Sequence, residues 1–268
     1  MDLISRTLAW FLRFTKCISI LGVVNSFKLM AYGRLLRKDV KIYLEGAVPF
    51  TSNAALDLVT SHFYGLGYYI QDVPGKGIQN IVDAGANIGV ETMRFYMHHA
   101  NARIVAVEAS QRNFQYLKTN FERIKNVNPI FAGLWPTKTK LSIESTGECP
   151  QEFKVSSQSD GTLDSITIPE ILQRFNFQKI DILKLDIEGA ELALFTKGDL
   201  SWIDKINVFI IEIGDQDAEG MTQAIFNAIS HISLSSYMCG ENLVLIRSDL
   251  DWTLERVMGF KKPIPKAV

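Results

Sequence analysis

Cysteine is scarce in this chain of 268 residues: Cys17, Cys149 and Cys239 lie far apart and never form a C-x-x-C pair. That argues against a disulfide framework and a thiolate zinc site, and it fits a reducing, cytoplasmic compartment. Histidine is as thin. His62, His98, His99 and His231 are scattered without metal-ligand spacing, so no metal site is expected. Charge of one sign is lacking too. With 28 Lys and Arg against 29 Asp and Glu, the net charge of −1 gives no general attraction to nucleic acid. The longest apolar run in the basic N-terminal stretch, around residues 17–24, falls short of the ~20 residues that a membrane-spanning helix requires, and no small-residue cleavage site follows it. Internal repeats and low-complexity tracts are missing as well. What is present is a 47% hydrophobic chain, long enough for one large domain with an N-terminal extension.

The extension is basic. Arg6, Arg13, Lys16, Lys28, Arg34, Arg37, Lys38 and Lys41 alternate with Leu8, Trp10, Phe11, Phe14, Ile18 and Leu21. Such a segment reads as an amphipathic helix that caps the following domain; a helix lying on an anionic membrane at the inner surface is the alternative. Residues 1–75 are therefore expected to form a helical cap and lid, with a helix starting near Ser52-Asn53 and aromatic residues Phe63, Tyr64, Tyr68 and Tyr69 near its end. Residues 76–250 hold the main domain. Residues 251–268 form a tail with little to bury.

In the main domain, β-branched strand patterns (residues 78–83, 104–108, 129–132, 180–186 and 208–213) alternate with helical ones (90–99, 111–124, 169–175, 190–196 and 218–231). Ser110 is the expected N-cap of the second helix, and Pro169 the first residue of the third. This alternation is the signature of a doubly wound parallel sheet with helices on both faces. A hairpin is expected within residues 141–164, and an antiparallel pair from 233–237 and 242–247.

The first strand runs into Asp83-Ala-Gly85-Ala-Asn87-Ile-Gly89, and the second ends on Glu108. Glycines at a tight strand-to-helix turn leave room for a ligand, and an acid about twenty residues on is placed to accept hydrogen bonds from ribose hydroxyls. The spacing selects the cofactor. A dinucleotide site wants G-x-G-x-x-G over a pyrophosphate, whereas Asn87 takes the middle position here and no third glycine follows. Asp83 would repel a pyrophosphate, yet it suits a ligand with an ammonium group and a sulfonium. S-adenosylmethionine fits, with Asp83, Gly85, Asn87, Gly89 and Glu108 as its binding residues.

A second motif, Lys184-Leu-Asp186-Ile-Glu188-Gly189-Ala-Glu191, closes the fourth strand. Lys184 and Asp186 alternate onto one face of a buried strand, which costs several kcal/mol (roughly) unless they pair or serve a ligand. A structural ion pair is the plain alternative, with Glu188 and Glu191 facing the dipole of the next helix. Together the two motifs and the strand ending Glu108-Ala-Ser110 resemble the FkbM family of methyltransferases over roughly residues 78–247. The resemblance implies a class I methyltransferase fold of seven strands, ordered 3-2-1-4-5-7-6 with the seventh antiparallel. It also implies O-methylation of a hydroxyl on a sugar, glycan or secondary metabolite. Asp160, in an insert that departs from the family pattern, is the candidate adenine contact. Asp186 is the candidate base, Lys184 its cation, and Glu212, ending the adjacent strand, a second carboxylate on the same cleft. The alternatives are a nicotinamide-dependent oxidoreductase, which the missing glycine opposes, and a non-catalytic S-adenosylmethionine-binding scaffold docked through its basic N-terminus.

Overall fold

Runs of Ile, Val and Leu without alternating polar residues require cover on both faces, and a parallel sheet between helix layers provides it. The computed structural model describes residues 23–28, 39–44, 48–52, 68–71, 77–145, 153–157, 161–187, 189–213, 219–239 and 242–256. The chain forms two units: residues 1–70 with 254–268, and residues 71–253.

In the first unit, residues 23–28 are helical. Strands β1 (Val40–Leu44) and β2 (Val48–Ser52) form an antiparallel hairpin that pairs Val40 with Ser52, and Phe50 is fully buried. Strand β3 (Tyr68–Gln71) closes this stretch. The expected amphipathic helix before residue 23, the lid helix near residue 54 and the tail from residue 257 lie outside the described residues.

The second unit is built on a sheet of seven strands. Its first strand, β4 (Asn80–Ala84), is buried at every position and leads through the glycine turn into helix α1 (Val90–His98). Strand β5 (Arg103–Glu108), helix α2 (Gln111–Phe121) and strand β6 (Val127–Phe131) follow. A subsidiary sheet comes next: β7 (Gly133–Leu134), β8 (Lys140–Ser145), β9 (Phe153–Ser157) and β10 (Leu163–Ile166), in the order β7-β10-β8-β9. Helix α3 (Ile168–Arg174) returns the chain to β11 (Ile180–Leu185). Then come α4 (Glu191–Thr196), a 3-10 turn (Ser201–Lys205), β12 (Ile206–Glu212), α5 (Met221–Ile229), β13 (Leu234–Cys239) and β14 (Asn242–Arg247). The last strand, β15 (Thr253–Arg256), belongs almost wholly to the first unit, where it pairs with β3.

The large sheet runs β13-β14-β12-β11-β4-β5-β6. All pairings from β12 through β6 are parallel, while β14 is antiparallel to β12 and to β13. Numbered within the sheet, this is the expected 3-2-1-4-5-7-6 order, with β14 as the reversed strand. Beyond the strands β1, β2, β3 and β15, which stand where a helical cap and lid and a tail were expected, four details differ from the sequence reading. Pro129 sits inside β6, where it is tolerated because β6 is an edge strand. Pro169 is the second helical residue of α3: Thr167 caps the helix, and Glu170 reaches back to Thr167 in a reciprocal capping box. The expected hairpin between residues 141 and 164 is part of a four-stranded sheet. The 3-10 turn before β12 carried no periodic signal.

A carboxylate cluster at the carboxyl ends of the central strands

In a parallel sheet, residues at one level of neighbouring strands share a face, and every second residue returns to it. Asp83 of β4 is level with Lys184 of β11, and Lys184 with Ile210 of β12. Two residues further along, Asp186 and Glu212 therefore come level, on the face that holds Asp83 and Lys184. Glu108 joins them from β5, because Ala106 is level with Asp83. Helix α1 covers this face, and the Thr92 hydroxyl donates to Asp83 Oδ2. Except for Asp160, which lies outside the described residues, the charged residues picked from sequence are brought to one end of one sheet face.

The glycines meet a structural demand in addition to the one read from sequence. A Cβ at Gly85 would lie 1.6 Å from the Asp186 carbonyl oxygen, and one at Gly89 would meet Phe121 and Leu117 at 2.4 and 2.8 Å. Their φ values, +80° and +94°, also favour glycine. The clearance is toward the protein's own β11 and α2, and it draws those elements close to the turn. Asn87, at φ 51°, takes a left-handed conformation that asparagine tolerates.

Glu108 does more than end a strand. Its Oε2 accepts the Asn87 N–H at 2.8 Å and its Oε1 accepts the Ser110 N–H at 2.7 Å, so one carboxylate holds the glycine turn and the start of α2. Burial pushes its pKa up to about 7, against the pull of those two N–H groups. Asp83 is fully buried and is pushed up to about 6 by the same desolvation, although Lys184 and Thr92 favour its charged form. Its second oxygen, Oδ1, has no hydrogen-bond partner.

Lys184 is 2% exposed, and its Nζ donates to Asp186 Oδ2 at 2.8 Å. Burial opposes the charge on Lys184, yet Asp186 and Asp83 outweigh it and hold the pKa above the usual lysine value. Asp186 is 23% exposed, so the anion stands at the mouth with its cation behind it. Glu191 does not merely face a helix dipole. It is buried, and its two oxygens accept the Ile187 and Gly189 N–H groups at 2.7 and 2.9 Å, closing the turn after Asp186. Glu188 lies outside the described residues.

Sequence reasoning missed the Glu91–Arg94 ion pair on α1, 2.9 Å long and almost entirely buried. The i,i+3 spacing just after Gly89 was its only signal. It also missed Thr92. Among the described residues, no group of three or more His, Cys, Asp and Glu side chains is arranged to hold a metal ion. A cavity of about 590 Å³ lies elsewhere, lined by Phe131, Lys138, Ser165, Glu170 and Arg174 among others. It adjoins β6, three strands or ~14 Å from β11. Its Lys138 is already paired with Glu170 at 3.2 Å.

The cluster fits the cofactor expected from sequence. A buried carboxylate oxygen without a partner at Asp83 suits an ammonium group, and each Glu108 oxygen, with one donor already in place, keeps a lone pair for a ribose hydroxyl. The match to the family model described as "Methyltransferase FkbM domain" covers residues 83–233, more than half the chain. The chain belongs to the FkbM methyltransferase family. S-adenosylmethionine is accordingly its cofactor, and methyl transfer its reaction class. Similar proteins include the hexuronic acid methyltransferase AglP of Haloferax volcanii, 26% identical over 172 residues, which span 63% of this chain and 70% of AglP. Methyltransferase 1 of Beauveria bassiana is 23% identical over 168 residues, 53% of this chain and 67% of that protein. Among solved structures, Aeropyrum pernix fibrillarin with natively bound S-adenosyl-L-methionine aligns over 77% of this chain and 92% of its own, at 11% identity and a TM-score of 0.36. Membership of a methyltransferase family removes the case for a nicotinamide-dependent oxidoreductase.

Proposed function

We propose that this FkbM methyltransferase methylates a hydroxyl oxygen of a sugar, glycan or other small hydroxylated acceptor, with Asp186 as the base. The observation that carries the reading is the Lys184–Asp186 pair. A buried ammonium 2.8 Å behind a partly open carboxylate holds that carboxylate in place by a charge-assisted hydrogen bond. A sugar hydroxyl is a weak nucleophile until its proton leaves, and Asp186 would take that proton. S-adenosylmethionine, when bound, supplies the methyl group on a sulfonium. Asp83 and Glu108 would hold its amino and ribose ends, and Glu212, level with Asp186, would orient the acceptor. Much of the rate then comes from alignment and the exclusion of water.

A second reading is favoured by one relative, whose name specifies a hexuronic acid: the acceptor oxygen is a carboxylate, which needs no base. The charge of the site opposes it. Among the described residues, Asp83, Asp186, Glu108 and Glu212 share one sheet face with Lys184, an excess of acid that disfavours an anionic acceptor.

The test is to incubate the protein with S-adenosylmethionine and either a neutral glucoside or a glucuronide, following S-adenosylhomocysteine release and locating the new methyl group by NMR. Hydroxyl transfer predicts a methyl ether and a loss of 10²–10⁴-fold, in order of magnitude, in kcat for Asp186→Asn. A methyl ester formed at full rate by Asp186→Asn would sink the base assignment. Cofactor binding without release on any acceptor would favour a scaffold.

A further inference from the structure

The buried residues of α2 are Asn113, Leu117, Asn120 and Phe121, one stripe at helical spacing. Two observations fix where that stripe faces. Leu117 and Phe121 crowd Gly89, and Asn120 Nδ2 donates to the Ile88 carbonyl at 2.9 Å. Asn113 is one turn nearer the helix N-terminus, where its backbone N–H donates to the Ser110 N-cap, whose own N–H donates to Glu108. It is only 4% exposed, and its Nδ2 has no hydrogen-bond partner. The other Glu108 oxygen accepts the backbone N–H of Asn87, whose buried Oδ1 is equally unpartnered. Two residues linked to Glu108 through backbone N–H groups, one directly and one through Ser110, therefore carry a buried donor and a buried acceptor without partners. An unsatisfied buried amide destabilises a folded chain, so a group kept in this state calls for a functional account.

We infer that Asn113 is a nucleoside-binding residue of the cofactor site, its side-chain amide donating to the adenosine part of the ligand beside Glu108. A nucleoside offers acceptors in its ribose oxygens and ring nitrogens, which is the chemistry that a lone NH₂ lacks. The inference rests on the assignment of Glu108 to the ribose.

Two responses of opposite sense test it. Replacing an unpartnered donor by an apolar group of similar size removes a cost from the ligand-free protein while it removes a bond from the complex. Asn113→Leu, with Asn113→Ala as the less demanding variant, is compared with the unaltered protein by calorimetry using S-adenosylmethionine, S-adenosylhomocysteine and adenosine. The expected result is about tenfold weaker binding of all three, with the ligand-free Tm unchanged or raised. A lowered Tm with unchanged affinities would mean that the amide serves only the fold, and the inference would fail. A loss confined to the two methionine-bearing ligands would also overturn it, since the contact would then lie outside the nucleoside. Glu108→Gln separates the two layers. If it weakens adenosine binding while the Asn113 variants do not, the inference alone is wrong; if it leaves adenosine binding intact, the ribose assignment falls and the inference with it.

Discussion

At the residue scale, the distinctive quantity is the cost of keeping Asp83 and Glu108 ionised out of water. Both carboxyl groups hold their protons to higher pH in the folded chain than when unfolded, at about 6 and about 7. From about pH 4 to 7 the folded state therefore binds more protons, so these two groups make ligand-free stability fall as pH rises through that window. Cofactor binding has the opposite sign, because an ammonium and a diol favour the ionised acids. Affinity for S-adenosylmethionine should rise from about pH 5.5 to 7.5, with protons released on binding at the lower end. Calorimetry in buffers of different ionisation enthalpy measures that release, and an affinity independent of pH would contradict it. Asp83, Glu108, Lys184 and Asp186 were legible because each is a charge at the end of an otherwise apolar strand. The Glu91–Arg94 pair was not, because ion pairs at the same spacing line the exposed faces of ordinary helices, and only the packing of α1 shows that this one is buried.

At the scale of elements, four of the five parallel strands could be read from sequence because each is dominated by β-branched and aliphatic residues, while β6, with Asn128 and Pro129, was placed only in part. The β7–β10 sheet could not be read. Its strands are short, and runs such as Lys140–Ser145 mix polar and apolar residues without marking which strand they will join. The glycine turn and its sharp bend were located from sequence, but the close approach of Asp186, 101 positions along the chain, was not. Gly85→Ala would drive a Cβ into the backbone of β11's end and should cost about 4 kcal/mol or more, abolishing cofactor binding. Gly189, at φ +87°, has open space around its missing Cβ, so Gly189→Ala should cost only about 1–2 kcal/mol of backbone strain. Urea denaturation of the two variants checks the contrast; similar losses would show that φ, not the close approach, sets the need for glycine at 85.

At the scale of the molecule, the two margins of the seven-stranded sheet are unlike. Strand β6 carries Pro129, which hinders further pairing. Strand β13 has neither proline nor charge over Leu234–Cys239, and it leaves Tyr237 41% and Met238 66% exposed. An uncharged edge of this kind invites association with another strand. Met238→Lys should reduce concentration-dependent light scattering without altering cofactor affinity; scattering that does not change would show the edge to be harmless. No helix among the described residues is long and apolar enough to cross a membrane.

The crowd of acids at the carboxyl ends of β4, β5, β11 and β12 also bears on turnover. Methyl donation removes the positive charge from the cofactor's sulfur, so the negative field that draws the fresh molecule in has less to hold once it is spent. Because Asp83 and Glu108 among these acids are buried, salt should screen the preference only weakly, so resistance to inhibition by the by-product should persist as ionic strength rises.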